Sequence, residues 1–310
     1  MGCGVGPVPL ALVSLVVEII EKKCNELKCK EDLHQEPTIQ IYMNDLPSND
    51  YKLLFKDLLN LEILKRDEVV PLCLFKAVPG SFYDTLFPLN TLHFVHSSYA
   101  LHWLSQEPME LYNKQGEAIN KGNIYISEKS EENVAKAYLG QFQRDFTQFL
   151  KCRTKEVVSK GFMLLTTRGR QSLTNSSTWQ PFELNILTNA ITCLFHEGLI
   201  KEESVDKMNF PVYIASEEEI GSIIKKEGSF EIKYSNTTVN EVGSEIVDKW
   251  EKAQFLAKYI GAFSKSLISH HFGQHILHLL HHKLVYHAFQ HLLHAFPTQN
   301  CAVTFLLQKR

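Results

Sequence analysis

The apolar positions of this chain switch repeatedly between a two-residue and a 3.6-residue period, and each switch marks an element. Residues 8–30 read as a helix, apolar first and then charged in EIIEKKCNELKCK. IQIYM (39–43) is a short strand of β-branched and aromatic residues that runs into the turn cluster NDLPSND. Residues 50–64 show helical spacing at Leu53, Leu54, Leu58 and Leu61. LCLFKAV (72–78) is a second strand, closed by Pro79-Gly80. TLHFVHSS (91–98) alternates and then becomes polar, as a strand does on entering a functional loop. Residues 132–158 form a long amphipathic helix, with Lys160-Gly161 as its expected C-cap. FMLLTTRG (162–169) is a buried strand, and the polar run at 168–178 reads as a mobile loop. A helix is expected over 182–200. At 216–234 a capping box of Ser216 with Glu219 opens a helix that continues into a strand. The C-terminal region is helical, with AVTFLLQK (302–309) as the last strand.

Strands alternating with helices predict an α/β fold with a mainly parallel sheet, whose ligands bind beyond the carboxyl ends of the strands. The polar turns MGCGVGP, NDLPSND, PGSFYD and HSSYALHW fall at those ends.

Composition narrows the class. A chain of 310 residues, 44% hydrophobic and 22% charged, can bury a large core. Its net charge of -3 offers no general attraction for nucleic acid or for an anionic membrane. Seven cysteines at irregular spacing, with no C-x-x-C pair, suit reduced thiols in the cytosol. The apolar stretch 5–17 is too short to span a bilayer and has no basic segment before it. Gly6 stands where a myristoylation signal needs Ser or Thr, so this stretch reads as a buried helix after a glycine turn.

Gly2, Gly4 and Gly6 precede that helix and allow close backbone approach to a nucleotide-like ligand. Asp45 ends a strand, where an acid either accepts from ribose hydroxyls or closes an Asx turn. The strings NDLPSND, PGSFYDTLFP, LHFVHSSYALHWLSQEP, NKGNIYIS, AYLGQFQRDFTQFL and KEGSF together resemble the plant SABATH-type carboxyl methyltransferases that act on salicylate, benzoate and jasmonate, and their caffeine-pathway relatives.

The resemblance covers nearly the whole chain. It implies one domain over 1–310: a Rossmann-like sheet with helices on both faces, and an α-helical cap inserted at 108–125 and 172–215. It implies S-adenosylmethionine as cofactor, lined by Cys3, Asp45, Leu46, Ser81, Phe82, Ser97 and Ser98. Tyr99, His102, Trp103 and Phe182 would line the acceptor pocket, with Phe182 where many members carry Trp. A magnesium site known in some members would map to Asn120, Asp206, the Met208 backbone and Asn209, with Met208 replacing the usual Phe. It also implies a cytoplasmic homodimer with a small carboxylic acid as substrate, converted to its methyl ester. N-methylation of a purine is the alternative, as is an inactive truncated paralogue that acts only as a binding partner.

Tyr99 and Trp103 would share one face of a helix, which core packing would also produce, and His102 would point elsewhere. A carboxylate is already ionised at neutral pH, so no general base is needed and no residue is assigned one. Alignment of acceptor and methyl group can itself supply about 7–11 kcal/mol.

The glycine motif here starts at Met1, and Val8 replaces an Asn of the family pattern. The relatives' preceding segment holds a first strand, an acid and contacts to both ligands. Its absence predicts weak cofactor binding by this chain alone. In SHHFGQHILHLLHHKLVYHAFQHLLH (269–294), His271, His275, His278 and His282 fall at helical spacing. They read either as a zinc or copper site, or as a helix whose charged positions have become His.

Overall fold

The computed structural model describes residues 1–28, 38–61, 72–127, 130–171 and 181–310. Helix α1 (Pro7–Lys28) begins on a proline, whose missing N–H is no loss in a first turn. Its Val13 and Val17, one turn apart, pack with Met43 of β1 (Ile39–Asp45) and with Leu54 and Leu58 of α2 (Tyr51–Leu58). Asp50 caps α2 by accepting from the Leu53 amide at 2.9 Å. Strand β2 (Cys73–Pro79) lies parallel to β1.

The second and larger sheet has the order β3 (Leu92–Ser98), β4 (Val157–Arg170), β7 (Gln299–Lys309), β6 (Phe230–Glu241), with the short β5 (Ala215–Ser216) also on β4. β3 and β5 run parallel to β4, but β7 is antiparallel to both its neighbours, so this sheet is mixed. Residues 1–3 join the two sheets. The Met1 amino group donates to the His96 carbonyl on β3 at 2.7 Å, and the Cys3 amide to the Asn44 carbonyl on β1 at 3.0 Å. The tips of β1, β2 and β3 therefore open side by side.

Helix α3 (Glu132–Glu156) carries the core of the larger sheet, burying Phe142, Phe146 and Phe149. Full burial of each such ring is worth about 1.5–3 kcal/mol. The capping box forms as expected. Ser216 accepts from the Glu219 amide and Glu219 accepts from the Ser216 amide, opening α6 (Glu217–Glu227). Helices α4 (Phe182–His196), α5 (Glu202–Asp206), α7 (Lys249–Phe272) and α8 (Ile276–Leu293) make a layer in which α8 packs on both α4 and α7. No described helix is long and apolar enough to cross a membrane.

Five local expectations are corrected. α3 stops at Glu156 and β4 begins at the next residue, so Lys160-Gly161 is not a helix cap. It sits in a strand irregularity opposite Leu92–Phe94, with Lys160 at φ 63. A Cβ on Gly161 would lie 3.1 Å from the His93 carbonyl oxygen. Residues 99–103 are a turn rather than a helix, because Tyr99 takes φ 53. Within 108–125 the only helical piece among the described residues is the 3-10 turn Met109–Leu111, followed by a bridge of Tyr112 with Ala118. The histidine-rich stretch is two helices, broken at Gly273 with φ 91. The polar run expected as a loop is β4 up to Arg170, and its residues 172–178 lie outside the described residues.

Candidate functional site

The strand tips gather the first group of predicted residues around residues 1–4. Asp45 accepts from the Gly4 amide through Oδ2 at 2.6 Å and from the Leu46 amide through Oδ1 at 2.7 Å. Gly4 takes φ 59, and a Cβ there would meet nothing within 4 Å, so its outer face is open. Ser97 donates to the Met1 carbonyl at 3.1 Å. Gly2 leaves no such room. A Cβ would come to 2.4 Å from the Ala100 Cβ and 3.5 Å from the Phe82 ring. Burial, then the Asp45 carboxylate, push the Cys3 thiol up to about 11, so Cys3 is a neutral wall rather than a nucleophile. Cys3, Asp45, Phe82 and Ser97 thus surround one glycine loop. Ser81 tightens its own turn by accepting from the Tyr83 amide at 3.2 Å. Leu46 is exposed beside Asp45, and Ser98 is half-buried at the end of β3.

The PGSFY loop is fixed from below by two charges absent from the sequence reading. Arg153 and Glu156 are fully buried and paired at 2.7 Å. Arg153 also donates to the carbonyls of Phe82 and Asp84 at 2.8 and 2.9 Å. Glu156 accepts from the amides of Leu86 and Phe87 at 2.6 and 3.1 Å. The sequence signal was available: a charged pair three residues apart among the apolar positions of an amphipathic helix.

The second group lies on the next turn. Tyr99 leaves β3 in the left-handed region, which costs a non-glycine residue about 1–2 kcal/mol and turns the chain sharply into 100–105. Backbone bonds then hold His102 and Trp103. The Tyr83 hydroxyl donates to the Trp103 carbonyl at 2.6 Å, the Tyr213 amide to the His102 carbonyl at 2.8 Å, and the Leu104 amide to Pro211 at 2.8 Å. Asp145 of α3 accepts from the Ser105 amide and hydroxyl. The Trp103 ring lies 5.6 Å from Phe210 and 5.9 Å from His102, so the adjacent rings do share a wall. Burial, then the Arg168 charge, push His102 down to about 3, so its imidazole is neutral. Its Nδ1 is enclosed without a hydrogen-bond partner.

Arg168, at the end of β4, is the feature the sequence reading missed. It pairs with Glu183 of α4 at 2.5 Å, both side chains being over nine-tenths buried, and reaches the Tyr259 hydroxyl at 3.3 Å. Its Nε and Nη2 are buried without partners, as is Glu183 Oε2. Two guanidinium N–H groups near a neutral histidine are donors awaiting an oxygen or nitrogen acceptor. Phe182 is buried next to Glu183, but its ring contact is with His291 of α8 at 5.9 Å, not with Trp103. The surroundings of Phe182 and Glu183 therefore draw on α8 and on β4, neither of which the sequence reading brought beside Phe182.

The four proposed magnesium ligands lie on two facing segments, and two of their oxygens are already engaged. Asn120 Oδ1 accepts from Ser130 at 2.7 Å, and Asp206 Oδ1 accepts from the Gly122 amide at 2.8 Å. Only Asn209 Oδ1 is buried without a partner, while its amide nitrogen reaches Glu107 at 3.3 Å. No group of three or more His, Cys, Asp or Glu gathers among the described residues. One carboxylate, already bonded to a backbone amide, beside an Asn120 oxygen taken by Ser130 is too few free oxygens to fit a magnesium centre.

Comparison with known proteins supplies the remaining finding. The sequence profile described as SAM dependent carboxyl methyltransferase matches residues 1–310. Caffeine synthase 1 of Camellia crassicolumna is 42% identical over 287 residues, 92% of this chain and 76% of that protein. The 7-methylxanthine methyltransferase of Camellia ptilophylla is 42% identical over 294 residues, 94% of this chain and 78% of that protein. Among solved structures, loganic acid methyltransferase with SAH superposes with a TM-score of 0.83 at 29% identity, covering 100% of this chain and 83% of that one.

Proposed function

This chain belongs to the S-adenosylmethionine-dependent carboxyl methyltransferase family, and we propose that its acceptor is a ring nitrogen of a methylxanthine-like purine. The observation that carries this choice is the 42% identity with xanthine methyltransferases over more than nine-tenths of the chain. The site is compatible in chemistry. A planar, oxygen-rich heterocycle suits the Trp103–Phe210 slab and the unpaired N–H groups of Arg168.

When bound, S-adenosylmethionine supplies a methyl group activated by a sulfonium charge that is lost on transfer. The residues of the cradle fit it: an acid, a Ser hydroxyl, an aromatic edge and an open glycine loop converge at the strand tips. Asp45 would accept from the ribose hydroxyls, and Phe82 would give an apolar face. Trp103 and His102 would orient the acceptor. Burial keeps His102 uncharged, and Glu183 offsets Arg168, so the acceptor end does not repel a cationic donor. The N–H proton of the acceptor passes to solvent, because an imidazole held near 3 is too weak a base to keep it at neutral pH. Catalysis is then positioning and water exclusion, worth about 7–11 kcal/mol in well-aligned cases. The oxygens around Asn120 and Asp206 serve folding in this reading, not chemistry.

Esterification of a small carboxylic acid is the second reading. It is favoured by the family description and by the likeness to loganic acid methyltransferase. A carboxylate would meet the same Arg168 donors and needs no base. The two readings part on the product. Incubation with methyl-labelled cofactor and a panel of 7-methylxanthine, theobromine, salicylate, benzoate and jasmonate should label a xanthine, and mild alkali should not release the label. Alkali-labile label on an acid, with none on xanthines, would overturn the purine assignment and uphold the ester.

A further inference from the structure

We propose that His278 and His282 form a two-imidazole surface site for a borderline divalent transition ion, the class of Cu2+, Ni2+ and Zn2+. The two residues sit one turn apart on α8, whose opposite face is locked into the core by Ile276, Leu280 and Leu284. That spacing projects both rings from one exposed face. Their Nε2 atoms face each other at 3.2 Å, with ring centroids 4.5 Å apart.

The distance is informative. A metal ion bonded to imidazole nitrogen at about 2.0–2.1 Å, with the two nitrogens 3.2 Å apart, subtends an N–metal–N angle of about 100°. That lies between the tetrahedral and square-planar angles, so the spacing of the two nitrogens suits one ion once each ring turns to aim its lone pair off the line between them. Because the helix is anchored, the two side chains spring from fixed backbone positions, and the second ligand binds at high effective concentration.

The other histidines do not join. His271 lies beyond the Gly273 break and bonds the Ser204 carbonyl at 2.7 Å. No third His, Cys, Asp or Glu completes a cluster among the described residues. The ion would therefore keep open positions filled by water. Two imidazole nitrogens and water favour Cu2+ over Ni2+ and Zn2+, following the general order of divalent affinities. This site is remote in sequence from the strand tips.

The test is titration of the full-length chain with Cu2+ at neutral pH, followed by calorimetry and by electron paramagnetic resonance. One tight ion per chain is expected, with a spectrum showing two imidazole nitrogens. His278→Gln or His282→Gln should each weaken it by about 10²-fold, the loss of a chelate's second arm, whereas His294→Gln should leave it unchanged. Both residues are exposed, so these variants should fold, and an unchanged methyltransferase rate or unfolding midpoint confirms it. Equal affinity in the His278 and His282 variants and the wild type would overturn the site, as would tight binding that His294→Gln abolishes.

Discussion

Replacing Arg153 by Met removes a charge that holds the PGSFY loop from beneath while keeping most of the apolar stem. Arg153 and its partner Glu156 have no solvent exposure. The substitution strands a buried carboxylate and leaves the carbonyls of Phe82 and Asp84 without their donors. Breaking one side of a buried pair costs about 3–5 kcal/mol, a large share of the roughly 5–15 kcal/mol that holds a domain together. Glu156 keeps two backbone donors, from Leu86 and Phe87, which places the loss toward the lower end of that range. Adding Glu156→Gln removes the stranded charge, so the double variant should be less destabilised than the sum of the singles by about 0.5–3 kcal/mol. Urea unfolding followed by tryptophan fluorescence measures each value. Because the pair fixes 82–87, KM for the cofactor should rise in Arg153→Met more than KM for the acceptor. A loss below about 1 kcal/mol, or strict additivity of the two changes, would refute the reasoning.

Acid sensitivity follows from His102, whose folded pKa of about 3 lies below its ordinary 6.5. Between those values the unfolded chain binds a proton that the folded chain does not, so stability falls as pH drops from about 6.5 toward 3, by at most ~5 kcal/mol. His102→Asn should flatten that part of the stability–pH curve, and an unchanged slope would remove His102 as its source. Gly169 is fixed by contact rather than by φ. A Cβ there would stand 2.3 Å from Val303 and 3.0 Å from the Ala215 carbonyl oxygen. Gly169→Ala should therefore cost about 1–3 kcal/mol in thermal or urea unfolding, whereas Gly122→Ala, with nothing within 4 Å but φ 72, should cost about 1 kcal/mol.

What the sequence revealed was local, and what it concealed was spatial. Strand alternation at 39–43 and 91–98, the Ser216–Glu219 box and the polar strand tips are written in neighbouring residues, and each stands where the pattern put it. Alternation carries no direction, so the antiparallel course of β7 was hidden. Lys160-Gly161 has the composition of a cap, but the structure uses it for a strand irregularity. Tyr99 and Trp103 have helical spacing, but the left-handed Tyr99 backbone turns that segment into a loop and brings His102 beside Trp103. The ion pair of Arg168 with Glu183 joins a strand to a helix across residues outside the described set, and no short-range signal announces such a partnership. At Gly273 the single glycine that divides α7 from α8 separates His271 from the pair formed by His278 and His282.

The central claim is that Asp45 and the neighbouring strand tips form one nucleoside-binding cradle. Equilibrium titration of the full chain with S-adenosylhomocysteine, alongside Asp45→Ala, tests it most directly. One site per chain is expected, weakened about ten-fold or more in the variant, since a hydrogen bond to a charged group is worth about 1.5–3 kcal/mol. An identical dissociation constant for both proteins, or no saturable binding to the wild type, would contradict the account.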